Sequence, residues 1–176
     1  LPTPTADANT CRRRSRPTGA VKNFGNGECA DVAEIIGVVG AGTMGNGIAQ
    51  TAARAGYDVI MRDVKEEFLE RGMQAIDKSL QRDVDKERLK EEEKRAIVGR
   101  IRTTTEFDDF ANASFVIEAI TESLEAKREV FRALDGVANR ECVLASNTSS
   151  ISITKLGAAT SRPDKVIGMH FMNPVP

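Results

Sequence analysis

The chain has 176 residues, enough for one domain with a substantial core. Its formal net charge of −1 gives no electrostatic case for nucleic acid or an anionic membrane surface as partner. No apolar run approaches the length that spans a bilayer, and the three cysteines (Cys11, Cys29, Cys142) are too scattered for a disulfide framework or a metal site, which points to a reducing compartment.

Residues 1–33 show neither helical nor strand periodicity. Pro2, Pro4, Pro17 and the cluster Arg12-Arg13-Arg14-Ser15-Arg16 are expected to form a disordered or targeting-like tail. An Arg/Ser-rich leader fits import into an organelle such as the mitochondrion, whereas Asp7, Glu28 and Asp31 count against it. A bacterial source would instead make the chain cytoplasmic. The missing initiator Met suggests an incomplete or processed start.

From residue 34 to 176 a single domain is expected. The run Ile35-Ile36-Gly37-Val38-Val39-Gly40-Ala41-Gly42-Thr43-Met44-Gly45 reads as strand, glycine turn and first helical turn. Gly40 lets the chain turn off the strand, Gly42 lets a pyrophosphate approach the backbone, and Gly45 lets the helix pack close to the sheet. The helix continues through Ile48, Ala49, Ala52 and Ala53 and stops at Gly56.

A second strand closes on Asp63, 23 residues after Gly40, where a Rossmann fold places the acid that accepts a ribose 2′-OH. The alternative is that Asp63 merely N-caps the following helix. An acid at this position repels a 2′-phosphate, which favours NAD over NADP, although the neighbouring Arg62 argues the other way.

Between Lys65 and Arg100 no strand is expected, only two helical stretches. One carries Leu69, Met73, Ile76, Leu80 and Val84 at helical spacing; the other is the charge run Asp83 to Arg95, read mainly as a solvated face. Strands are expected at 35–41, 58–63, 101–105, 115–120, 142–146 and 166–171, with helices or turns between them. The fold class is therefore α/β, Rossmann-like and doubly wound, with a mainly parallel sheet and a two-helix insertion after the second strand.

Three polar clusters follow strands in the second half. Glu118 and Glu122, with Lys127 on a following helix, are placed either to bind ribose hydroxyls or to cap that helix. Ser146-Asn147-Thr148-Ser149-Ser150 is either turn chemistry or a hydroxyl-rich lip over a substrate carbonyl. His170, the sole histidine, falls at the end of the last expected strand, where ligands collect in open α/β sheets. It is there either as a structural hydrogen-bonder or as a base facing a nicotinamide.

Four motifs in order, GVVGAGTMGNGIAQ (37–50), EAITESLEAK (118–127), ASNTSSISI (145–153) and GMHFMNPVP (168–176), resemble the L-3-hydroxyacyl-CoA dehydrogenase family, including 3-hydroxybutyryl-CoA dehydrogenases. The resemblance spans about 35–176. It implies that Gly40, Gly42 and Gly45 line the NAD pyrophosphate and Asp63 holds the adenosine ribose. Glu122, Lys127 and Asn173 would contact the nicotinamide half, and Ser149 both cofactor and substrate. Ser79 and Lys86 match positions that contact the coenzyme A portion. His170 matches the catalytic histidine, which takes the proton from the 3-hydroxyl while C3 gives hydride to the nicotinamide. The partners implied are an acyl-CoA substrate and, in the full-length form, a second copy in a homodimer.

In the family a glutamate soon after the NPVP segment pairs with the histidine, and a separate helical domain completes the acyl pocket. The sequence reaches Pro176 before either, so this segment alone is expected to bind NAD with little turnover. Two other readings stay open: a β-hydroxyacid dehydrogenase acting on small free acids, which shares the G-x-G-x-M-G start, and a non-catalytic NAD-binding module.

Overall fold

The computed structural model describes residues 34–176; the tail expectation and Cys11 and Cys29 lie outside the described residues. The elements run β1 (Ile35–Val39), α1 (Thr43–Arg54), β2 (Asp58–Arg62), α2 (Glu66–Asp85), α3 (Glu91–Gly99), β3 (Ile101–Thr104), a 3₁₀ turn (Asp108–Asn112), β4 (Phe115–Glu118), α4 (Leu124–Val137), β5 (Val143–Ser146), α5 (Ile153–Gly157), a second 3₁₀ turn (Pro163–Lys165) and β6 (Val166–Gly168). Six strands form one sheet in the order β3-β2-β1-β4-β5-β6, and every neighbouring pair is parallel. The expected doubly wound architecture is what the chain adopts.

Successive strand residues point to opposite faces, and the burial follows that alternation. Val38, Val59, Met61, Ile117 and Ala145 join one apolar cluster with Ile48, Ala53, Leu69, Ile76 and Leu80 from α1 and α2. Val39, Ile60, Val116 and Leu144 join a second with Phe110, Phe131, Leu134 and Leu156. A sheet covered on both faces needs such near-continuous apolar strands, which is why the runs at 35–39 and 115–117 are so uniformly hydrophobic.

Five of the six strands are shorter at their carboxyl ends than the sequence suggests. The first ends at Val39 because Gly40 already turns away, with φ +108°. The last ends at Gly168, so His170 lies two residues beyond the sheet rather than on it.

The insertion also differs from expectation. The charge run 83–95 is not one helix: α2 extends to Asp85, Glu87 takes the left-handed conformation at φ 56°, and α3 starts only at Glu91. Nor is the run wholly solvated. Lys94 is buried, and its ammonium reaches Asp77 and Gln81 on α2, each at 2.8 Å, tying the two helices together.

Candidate active site

The chain order reverses between β1 and β4, the switch point where open α/β sheets leave a crevice. A cleft of about 970 Å³ lies there, lined by Gly40, Gly42, Asp63 and Arg62 on one side and Ile120 and Val130 among others opposite. The glycine turn forms its floor for reasons that differ by residue. A Cβ on Gly45 would stand 1.7 Å from the Gly40 carbonyl oxygen, so α1 could not pack where it does. On Gly40 a Cβ would meet the Ala119 carbonyl at 2.6 Å.

Gly42 is a different case. Its φ of −66° suits any residue, and no protein atom lies within 4 Å of where its Cβ would stand. What its hydrogen keeps clear is the cleft itself. Immediately beyond it α1 begins with no side-chain cap and no acid in its first turn, leaving backbone N–H groups and the positive end of the helix dipole for an anion.

Asp63 does not N-cap the next helix; that position belongs to Lys65. Its carboxylate accepts the Ala41 N–H and the Val64 N–H, both at 2.7 Å, and so sits on the rim of the glycine turn facing the cleft.

A second group of residues gathers past the ends of β4 and β5. The Lys127 ammonium is buried and donates to Glu118 Oε1 at 2.7 Å, with Glu122 Oε2 and the Ile120 carbonyl each 3.5 Å away. The other Glu118 oxygen accepts the Ser146 hydroxyl at 2.6 Å. Glu122, partly open to solvent, receives the hydroxyls of Thr148 and Ser150 and the backbone N–H groups of Ser149 and Ser150. Burial alone would raise its carboxyl pKa, but those hydrogen bonds and the Lys127 charge outweigh it and bring the value to about 2. Helix α4 takes its cap from Ser123, so neither glutamate serves that purpose.

Glu122 thus clamps the loop after β5, and the loop presents Ser149. Ser149 Oγ lies 3.3 Å from His170 Nε2. The histidine segment is held from the same loop, since Asn147 Oδ1 accepts the Phe171 N–H at 2.7 Å. A hydroxyl and an imidazole at this separation, both exposed, can share one ligand oxygen between them.

The remaining expected residues are spread around this centre. Asn173 is exposed on the segment after His170, whose Val175 packs against Gly47 of α1. Ser79 sits half-buried on α2, and Lys86 is the exposed C-cap of that helix seven residues on, two turns along the same face. Neither lines the cleft, and nor do Glu122, Lys127, Ser149 or His170. Sequence reasoning missed Phe107, Phe68 and Arg71, which do line it. No functional motif marks them out: Phe68 and Arg71 lie on the first turns of α2, and Phe107 lies three residues past β3.

Among the described residues no group of side chains is arranged to hold a metal, and no helix is long and apolar enough to cross a membrane. Burial lifts the Cys142 thiol to about 11 despite the nearby Arg162 charge, so it stays protonated and inert.

The chain is similar to known proteins over all of its described residues but the first. Residues 35–176 match the family described as "3-hydroxyacyl-CoA dehydrogenase, NAD binding domain". A protein of Deinococcus radiodurans named "Probable 3-hydroxybutyryl-CoA dehydrogenase" is 50% identical over 140 residues, covering 80% of this chain and 50% of its own length. The 3-hydroxybutyryl-CoA dehydrogenase of Bradyrhizobium diazoefficiens is 49% identical over 147 residues, covering 84% and 50%. The crystal structure of (S)-3-hydroxybutyryl-CoA dehydrogenase from Ralstonia eutropha superposes with a TM-score of 0.80 at 46% identity, covering 82% of this chain and 51% of that one. The chain spans about half the length of these relatives.

Proposed function

Because the chain belongs to the 3-hydroxyacyl-CoA dehydrogenase family through its NAD-binding domain, we propose that it supplies the cofactor site and catalytic histidine for interconverting L-3-hydroxyacyl-CoA and 3-ketoacyl-CoA. The residues present fit the dinucleotide: the side-chain-free path at Gly42 leads to an uncapped helix start, and Asp63 stands on the same rim. The chemistry NAD supplies when bound is acceptance of a hydride from substrate C3.

The chain's own residues do the rest. The first turn of α1 binds the pyrophosphate, and the Asp63 carboxylate accepts ribose hydroxyls while excluding a 2′-phosphate. His170 Nε2 takes the proton of the 3-hydroxyl, or returns it when a ketone is reduced. Ser149 Oγ hydrogen-bonds the same oxygen and fixes its place. Glu122 and Lys127 act on the nicotinamide side, with Lys127 working through Glu122 because its ammonium is already engaged. Asn173 joins that side, and Ser79 and Lys86 take the coenzyme A portion from α2. A homodimer is proposed as the assembly, on the resemblance alone.

The observation that carries this reading is the Ser149–His170 pair, held by Glu122 and Asn147 at the sheet end that also bears the glycine turn. The test supplies the chain with NAD and L-3-hydroxybutyryl-CoA and follows NADH. We expect NAD binding with slow turnover, since Ser149 is the sole side-chain partner of His170 among the described residues. His170→Asn should abolish that turnover and leave NAD affinity unchanged. An undiminished rate in the variant would overturn the role of His170. Acetoacetyl-CoA reduction as fast as by a full-length relative would overturn the expectation of slow turnover.

A further inference from the structure

Arg62 directly precedes the ribose-reading acid, where an arginine is ordinarily taken for a 2′-phosphate ligand. Its placement argues for another role. The Arg62 Nε donates to the Thr105 carbonyl at 3.0 Å, and the guanidinium carbon stands 4.0 Å over the centre of the Phe107 ring. Phe107 is backed in turn by Phe110, with ring centroids 6.4 Å apart, and Phe110 is wholly buried. The guanidinium is therefore backed from the core outward by two aromatic rings. Arg62 and Phe107 both line the cleft, along with the exposed Val64, while Ala119, Ile120 and Val130 give it apolar walls.

A guanidinium centred over one ring keeps its opposite side open, and that side accepts a flat π-system. We propose that Arg62, held by Phe107 and Thr105, is the platform on which the adenine ring of the dinucleotide stacks, so that it reads the base and not a 2′-phosphate. This rests on the dinucleotide reading of the cleft and adds the recognition of its purine. Stacking is tolerant of a base's hydrogen-bonding edge but demands a flat partner, so the pair favours a purine through its area. Swinging Arg62 toward a 2′-phosphate would break the Thr105 hydrogen bond and unstack Phe107. Charge alone at position 62 is then not what the cofactor needs.

Calorimetric titration of the chain with NAD, NADP and NMN tests this in the parent and in Arg62→Met, Arg62→Lys and Phe107→Leu. Thermal melts first confirm that each variant is folded. All three substitutions are expected to weaken NAD about tenfold, Arg62→Lys included although it keeps the charge, and to leave NMN, which lacks adenine, unchanged. In an Asp63→Ser background, adding Arg62→Met should weaken NAD and NADP by the same factor. Full NAD affinity in Arg62→Met or Arg62→Lys would overturn the proposal, as would selective loss of NADP in the double variant. Failure of the parent to bind NAD at all would defeat the dinucleotide reading itself, a separate result visible before any variant is made.

Discussion

The Lys127 ammonium and the Glu118 carboxylate meet at 2.7 Å with both side chains closed to solvent. Taking two charges out of water costs several kcal/mol each, and the pair is retained here with every Glu118 oxygen engaged, by Lys127, by Ser146 and by the Ile120 N–H at 2.7 Å. Removing one partner strands the other. Lys127→Met or Glu118→Gln should each lower unfolding free energy by about 3–5 kcal/mol, whereas the double replacement should cost less than the sum. Urea denaturation of the three variants reads this, and additive losses would show that the two groups do not act as a pair.

Gly42 and Gly45 should separate binding from folding. Gly42→Ala meets no protein atom and keeps an ordinary φ, so its melting temperature should stay close to the parent's while NAD affinity falls about tenfold or more. Gly45→Ala drives a methyl into the Gly40 carbonyl, and the expected effect is a loss of about 3 kcal/mol or failure to fold. Calorimetric titration beside thermal melts distinguishes them. Normal NAD binding by a folded Gly42→Ala chain would show that the ligand does not pass there.

The Glu122 carboxyl titrates at about 2 in the folded chain against an ordinary 4.5. A depressed folded value means the unfolded state binds the proton more readily, so the contribution is fully present above about 4.5 and is lost as pH falls toward 2. Melting temperature should therefore decline through this window, and the decline should be shallower in Glu122→Gln. Identical pH profiles would show that Thr148, Ser150 and Lys127 do not stabilise the ionised form.

Arg162, buried at the end of α4, should be the costliest single charge to delete on the far side of the domain. It pairs with Asp135 at 2.7 Å and donates to the carbonyls of Asp135, Ala138 and Asn139, closing that helix end. Desolvation opposes ionisation of Asp135, yet the Ser161 N–H and Arg162 hold its pKa below the usual range. Arg162→Leu should destabilise the chain by about 3–5 kcal/mol while leaving the NAD affinity of the folded fraction intact. A loss below about 1 kcal/mol by urea denaturation would refute this capping role.

Much of the fold is legible in the chain because an apolar run between turn signals has few other uses. Ile35–Val39 and Phe115–Ile117 announce buried strands, and the glycines after Val39 locate the crevice. Helix boundaries in the insertion are not legible, for a physical reason. The break between α2 and α3 contains neither Gly nor Pro; it is made by Glu87 accepting a left-handed backbone, which local sequence does not foretell. Lys127 shows a related limit in the site. The sequence groups it with Glu118 and Glu122, but that its ammonium is buried against Glu118 emerges only when the fold brings the end of β4 to meet it. That Ser149 and His170 lie close together, by contrast, is foreseeable, because both follow strands of one parallel sheet, and parallel strands end together.

Gly47 carries a consequence of its own. A Cβ there would stand 2.9 Å from Val175 and 3.3 Å from Pro176, one turn beyond the uncapped start of α1. One helix thus bears at its leading end the proposed phosphate site and on its flank the stretch that carries Asn173. On the proposed reading the two halves of the dinucleotide are gripped by parts of the chain that share a single rigid rod. A shift of that rod by the width of a methyl group is then expected to be felt at both ends of the cofactor at once.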